Sequence, residues 1–379
     1  MPQLHVGVPL RQMTVSGALG MTPATDRGPP ITVKFCRTDF FCNQPIVIFM
    51  NSMKPQYLLL AVSLAVGSVP AMTAVAAAAL PTPSATVEIP NSKGGFDFLR
   101  VDSKRHRLLA AHEKDGTSDF IDLDKNTLIT RVKLGTAVDT AMDADGKLYF
   151  ISVQEGERVA VVDATTLKEV KSIKVGGPTD AIILDPKNHN IYVAHDEGAD
   201  VWVIDPSSAK VVATIAIPGV PEFMVYDQDS DRIYLNIKDK DVVAVIDPSA
   251  GRVVAQWPTG AAKSPHGMAL DAATHRIFVA GGTGKLVAID TKTGAISATA
   301  DIVSKVDQIA YDSAGALVYC AAPDKMSVVS AAKGLTALGD LDTASTAKNV
   351  TVDPATRAVW TTYSDGKNSY AKSWMPPKK

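Results

Sequence analysis

The sequence predicts an all-β chain folded as a seven-bladed β-propeller, each blade a sheet of four antiparallel strands. Three observations carry this reading. One Asp recurs at nearly constant spacing, at Asp102, Asp143, Asp185, Asp227, Asp271, Asp312 and Asp353, with intervals of 41, 42, 42, 44, 41 and 41. Most units hold four short runs rich in Val, Ile and Tyr, separated by clusters of Asp, Pro, Gly, Asn and Lys. The last unit offers only three such runs, while an unattached one, residues 85–89, precedes the first unit. Short β-branched runs bounded by turn formers are strands, being too short for ordinary helices. Four of them in a repeat of roughly 40–45 residues make one propeller blade.

The composition agrees. Of 379 residues, 46% are apolar and 21% charged, which suits a folded chain and not a disordered one. Lys and Arg number 38 against 40 Asp and Glu, so there is no basic surplus to meet nucleic acid. Aromatic residues are sparse and form no stripe with basic ones. Trp202, Trp257 and Trp360 fall in strand-like runs and read as packing between blades.

The N-terminal part has a different character. Residues 1–49 hold Cys36 and Cys42 and show no periodicity. From Met53 a short segment with one positive charge, Lys54, leads into an apolar run from Tyr57 to Val69, then Pro70 and an Ala-rich stretch to Ala79. That order is the layout of a secretory signal peptide over 50–79, cleaved near Ala76–Ala79. The run is short for a membrane span. A leader belongs at the start of a protein, so the expected start is Met50 or Met53, with 1–49 a gene-model artefact or a disordered extension. The propeller then occupies 80–379, has no membrane span, and is expected in the bacterial periplasm or medium. Five of the basic residues but only two of the acidic ones precede residue 80, so the propeller itself is mildly acidic. It keeps one cysteine, Cys320, in a strand-like run, so no intrachain disulfide is expected and Cys320 reads as a buried filler.

The units follow in order. The clearest begin at Pro178, Pro221 and Pro265, each with a first run ending on the recurring Asp. Second runs follow at Ile191, Ile233 and Ile277, then third runs ending on Asp205, Asp247 and Asp290. The final unit supplies runs at 349–352, 358–363 and 369–374. Residues 85–89 are expected to complete that blade as its outer strand. This joins the chain ends and leaves no open sheet edge.

Residues 191–195 (Ile-Tyr-Val-Ala-His), the third-strand run 203–206 (Val-Ile-Asp-Pro) and the turn 175–178 (Val-Gly-Gly-Pro) resemble the YVTN-type repeat. The resemblance covers about 95–379. It implies an exported bacterial seven-bladed propeller of the YncE type, more distantly similar to lactonase-type propellers. The matching residues are structural, so the resemblance bears on fold and not on activity.

Enzyme signatures are few. There is no Cys-x-x-Cys-His for covalent heme, no His-Glu-x-x-His and no phosphate loop. Gly281 to Gly284 is a turn between strands. The histidines sort into sets by repeat offset. His106, His189 and His275 lie four residues after the recurring Asp, in the turn between first and second strands. His112 and His195 lie ten after it and close the second strand at the opposite end. His266 starts an innermost strand, five residues before Asp271. Asp97, Asp180, Glu222 and Asp307 share that offset, Asp139 is one residue out of step, and Lys348 takes the place in the last unit.

In a hairpin, residues 97 and 112 sit symmetrically about the turn, as do 180 and 195. Asp97 is therefore expected opposite His112, and Asp180 opposite His195. Innermost strands converge on the central channel. The expected site is thus a ring at one channel mouth: Asp97, His112, Asp139, Asp180, His195, Glu222, His266 and Asp307. Such a ring could bind a ligand or a partner protein, or hold one divalent cation. A binding or scaffold protein is the leading reading. A metal-assisted hydrolase of lactonase type and a subunit of a periplasmic redox system are the alternatives, the last weakened by the missing heme signature.

Overall fold

A computed structural model describes residues 80–377, together with two short N-terminal strands. Those two, Leu4–Val6 and Met13–Val15, pair antiparallel. The expected leader at 50–79 and the rest of the 1–49 segment lie outside the described residues. The N-terminal unit and the propeller are separate units, dividing at Ala76/Ala77.

From residue 80 onward the chain forms seven four-stranded antiparallel sheets. Blade 1 begins with Leu99–Asp102, blade 2 with Ala137–Met142, blade 3 with Thr179–Leu184 and blade 4 with Pro221–Asp227. Blades 5 and 6 begin with Pro265–Asp271 and Gln308–Asp312. Blade 7 comprises Thr351–Val352, Val359–Ser364 and Ser369–Met375, and its fourth strand is Thr82–Ile89. The unattached run is therefore the outer strand of the last blade. Val87 and Ile89 point into the core, while Thr86 and Glu88 face water. Among the described residues the only helices are two single turns, Glu113–Asp115 and Ala272–Thr274, and no helix is long and apolar enough to cross a membrane.

Alternation along the two middle strands of each blade buries apolar side chains on both faces, so the core lies between blades. One cluster joins Tyr192 and Val203 of blade 3 to Met224 and Leu235 of blade 4. Phe150, Tyr192, Tyr234, Phe278 and Tyr319 occupy equivalent second-strand positions and are all fully buried. Cys320 is buried beside Phe278 and Val318, as expected of a filler.

The recurring Asp has a double role. One oxygen accepts backbone N–H bonds from the turn that follows it, as when Asp102 Oδ1 accepts from Lys104 (2.9 Å) and Asp185 Oδ1 from Lys187 (2.8 Å). The other oxygen reaches the next blade in several units. Tyr149 donates to Asp102, Tyr311 to Asp271 and Arg357 to Asp312. At the closure His106 Nε2 lies 2.8 Å from Asp353 Oδ2, tying blade 1 to blade 7. His106, His189 and His275 all sit in the left-handed region, with φ of 49°, 61° and 54°. Asp231, Ala316 and Arg357 adopt it at the same offset in other blades. The turn imposes this conformation, and short polar or His side chains tolerate it better than most. These histidines are thus turn residues first.

Candidate functional site: an acidic cup at the channel mouth

The innermost strands do not enter the channel mouth straight. In blades 2 to 5 the pairing of first and second strands slips by one residue near the start, between Ala137 and Thr140, Thr179 and Ile182, Pro221 and Met224, and Pro265 and Met268. Blades 1 and 6 show the same step, where Asp97 N–H and Asp307 N–H donate to Ala111 and Ala321. Such a bulge puts two residues opposite one, bends the strand and re-aims its side chains. Asp97, Asp180, Glu222, His266 and Asp307 all occupy the first place of the bulge.

These five residues do come together. With Phe98, Gln154, Asp196 and Lys348 they line a cavity of about 190 Å³. Phe98 marks its floor. Below it Phe98 of blade 1 meets Phe223 of blade 4 across the channel, ring centroids 5.1 Å apart. The Arg100 guanidinium lies 4.8 Å from the Phe223 centroid and grips Asp139 with two bonds, 2.8 and 2.6 Å. This plug makes the mouth a blind cup.

Three expected ring members lie elsewhere. Asp139 occupies the second place of its bulge and is fully buried, held by Arg100 and by the backbone N–H groups of Thr140 and Ile182. His112 is fully buried inside blade 1, stacked on Phe96 at 3.7 Å, with Nδ1 2.8 Å from Asp119. Its Nε2 lies 3.4 Å from Ser369 Oγ. That hydroxyl–imidazole–carboxylate order is sealed, since Ser369, His112 and Asp119 are all 0% exposed. His195 sits outside the cup lining, bonded to Asp200 (2.7 Å) and packed near Trp202. Gly177 and Gly198 leave room for its ring, because a Cβ on either would collide with it.

The bulge explains the miss. It shifts the pairing by one, so Thr179 and not Asp180 stands opposite His195. The residues that do reach the cup from this side lie just past the second strand, eleven after the recurring Asp, at Gln154 and Asp196, with Lys238 at the same offset in blade 4. A polar residue repeating at that offset was the available signal.

The electrostatics are lopsided. Lys348 Nζ pairs with Asp307 at 2.9 Å, and Lys238 Nζ with Glu222 at 2.7 Å and Glu197 at 3.0 Å. Gln154 donates to Asp196 (2.9 Å), and Gln308 to Asp97 (3.3 Å). His266 Nδ1 lies 2.7 Å from the Ser264 carbonyl, which can only accept, so Nδ1 carries a proton and Nε2 faces Glu222 at 3.9 Å. Burial raises the Asp97 carboxyl well above the usual range, with Asp307 adding to this and Lys348 opposing it. Asp180 is raised well above that range by burial, then by Glu222 and Asp97. Burial also raises Asp196, and raises Glu222 against the pull of His266 and Lys238. Burial alone would lower the Lys348 ammonium, but Asp307 and Asp97 hold it above its ordinary value. Among the described residues no group of three or more His, Cys, Asp and Glu side chains is placed to hold a metal ion.

A second cavity of about 450 Å³ is lined by loops of blades 2 and 3, including Asp143, Asp145, Leu184, His189 and Asp205.

Comparison with solved structures places this architecture widely. A chain of the Kuenenia stuttgartiensis hydrazine synthase matches at 16% identity with a TM-score of 0.64, covering 75% of this chain and 96% of its own. A chain of a mitotic checkpoint complex matches at 13% identity and TM-score 0.68, covering 88% and 99%. The Cps50 (Swd1) β-propeller domain of Myceliophteria thermophila matches at 14% and 0.64, covering 77% and 99%. At such identities the likeness is one of fold. No curated protein matches the chain. The model of the Cytochrome D1 heme domain matches residues 85–319. That span runs from the closing strand of blade 7 through the second strand of blade 6, more than half the chain, and the chain therefore belongs to the Cytochrome D1 heme domain family.

Proposed function

We propose that this propeller is an exported binding protein, of the YVTN-repeat kind, whose acidic cup recognises a ligand. The observation that carries this is the cup itself: a blind polar cavity in which five carboxylates meet only two ammonium groups, Lys348 and Lys238. Structural ion pairs are normally balanced, and an unbalanced buried set is costly unless something offsets it. Perturbed carboxyls gathered in a cleft mark functional sites more often than chance.

The family name implies a heme, and the cup does not fit one. Sites for such cofactors are larger than about 300 Å³ and mostly apolar. This one is about 190 Å³, with Phe98 the only apolar residue among nine. The Phe98–Phe223 contact closes the channel beneath it. The second cavity, about 450 Å³, carries three carboxylates, Asp143, Asp145 and Asp205, beside the apolar Ala144, Leu184 and Pro206. A second reading, a subunit of a redox assembly that itself holds no heme in the cup, is favoured by the family match alone.

A thermal-shift screen of small metabolites tests the proposal. Ligands of the cup should raise the melting temperature of the wild type and not of the Asp180→Asn/Glu222→Gln double variant. Equal stabilisation of both proteins by every hit would move the binding surface elsewhere. Export is tested separately, by N-terminal sequencing of natively produced protein. The sequence should begin just after Ala74–Ala79, and recovery of residues 1–49 on the exported form would overturn it.

A further inference from the structure

We infer that the cup takes a small organic cation bearing a primary ammonium group, bound through Asp180. This deepens the binding reading above and rests on it. Asp180 is the decisive residue. It is only 9% exposed, it lines the cup, and its carboxylate has no hydrogen-bond or ion-pair partner among the described residues. The other acids of the lining are each engaged: Asp307 by Lys348, Glu222 by Lys238, Asp196 by Gln154 and Asp97 by Gln308. A carboxylate that accepts nothing, beside four others, is an acceptor set waiting for donors.

Three features choose the class of donor. A metal ion needs several oxygens converging within about 2.6 Å of one point, and no group of His, Cys, Asp and Glu among the described residues is so placed. The ring acids are instead spread around the wall, two of them already committed to lysines. An ammonium needs less convergence. Its three N–H groups reach separate acceptors at about 2.7–2.9 Å, which suits Asp180 together with Glu222 or Asp97, the groups that act most strongly on it. The cavity, about 190 Å³, holds many times the volume of about 10–15 Å³ that one water requires. It can therefore accept a short carbon chain behind the charged head, and Phe98 is the one apolar side chain in the lining. An anion is disfavoured by the same carboxylates, and an uncharged ligand would leave Asp180 uncompensated.

The test is calorimetric titration of the 80–379 propeller, or of the full chain, with 1,4-diaminobutane, calcium chloride and tetramethylammonium chloride. Saturable binding of 1,4-diaminobutane is expected, at least tenfold tighter than tetramethylammonium, which has no N–H to donate. Asp180→Asn should weaken it at least tenfold, and Asp145→Asn, in the second cavity, should leave it unchanged. Should Asp180→Asn fail to fold, Phe98→Leu, expected to weaken the diamine through its chain, replaces it. Calcium binding without diamine binding would overturn the ammonium assignment and leave the binding cup intact. The same holds if cup-dependent hits in the thermal-shift screen prove neutral or anionic. Diamine binding that Asp180→Asn or Phe98→Leu leaves untouched would overturn the assignment to the cup, and absence of diamine binding would overturn the ligand class.

Discussion

Ile89→Ala should destabilise the entire propeller from a position near one end of the folded chain. Ile89 is fully buried in a cluster with Val87, Phe96, Leu108, Trp360 and Ala371. Its strand is the outer strand of blade 7, paired to Ser369–Met375 from Thr82↔Met375 to Ile89↔Ser369. The contact therefore closes the ring between residues 280 positions apart in sequence. Ser92 reinforces it, donating to Ile89 O (2.5 Å) and accepting from Ser369 N–H (3.2 Å). Truncating a buried Ile to Ala costs about 2–5 kcal/mol, set by how far the cavity can relax. The neighbours here come from four strands of two blades and from Phe96 in the segment leading into blade 1, so relaxation is restricted and the upper half of that range is expected. At about 2 °C per kcal/mol for a domain of this size, the melting temperature should fall by about 7–10 °C. Thr86→Ala, three residues away on the same strand but facing water, should stay within about 0.5 kcal/mol of wild type. The assay is thermal denaturation followed by circular dichroism on both variants. Deleting 84–91 should cost more than either, since it bares the edge of Ser369–Met375. If Ile89→Ala melts with Thr86→Ala, the closing strand is not a structural part of blade 7 and the argument fails.

His106 also bridges the closure, and its bonds to Asp353 and then Asp124 raise its pKa above the ordinary value. A raised His contributes stability that is full below its unfolded pKa, about 6.5, and is lost as pH rises through the folded value. The gap in urea midpoint between wild type and His106→Gln should therefore be wider at pH 6 than at pH 9; an equal gap would remove the charge from the argument. Asp180 runs the other way, because its folded pKa is raised by burial and its ionised form is disfavoured. Asp180→Asn should stabilise the protein at pH 7, with the advantage shrinking once pH falls below the raised value and gone below the unfolded value of about 3.9. A lower melting temperature for that variant at pH 7 would mean that the carboxylate is satisfied after all. Arg100→Met should cost about 3–5 kcal/mol, since it strands the fully buried Asp139. Adding Asp139→Asn should recover much of the loss, and strict additivity of the two would contradict the plug.

The blades, their number and the strand that closes them were written in the chain. Seven Asp residues at a period of 41–44 act locally, each folding its own turn, so their spacing could be read without knowing what lies nearby. The inner half of the cup was legible for the same reason: equal offsets from that Asp become equal heights on the propeller, and Asp97, Asp180, Glu222, His266 and Asp307 meet as their positions require. The outer half was not. A strand pairing read as an unbroken hairpin puts His195 opposite Asp180, but the bulge moves the register by one. A one-residue slip turns a side chain to the other face. His112 consequently packs on Phe96, and Asp196 and Gln154 take the wall instead. Nor does any repeat relate Phe98 to Phe223, or Arg100 to Asp139. Those contacts exist because the closed ring brings blades 1, 2 and 4 together across one narrow channel, a proximity that depends on closure and not on local sequence.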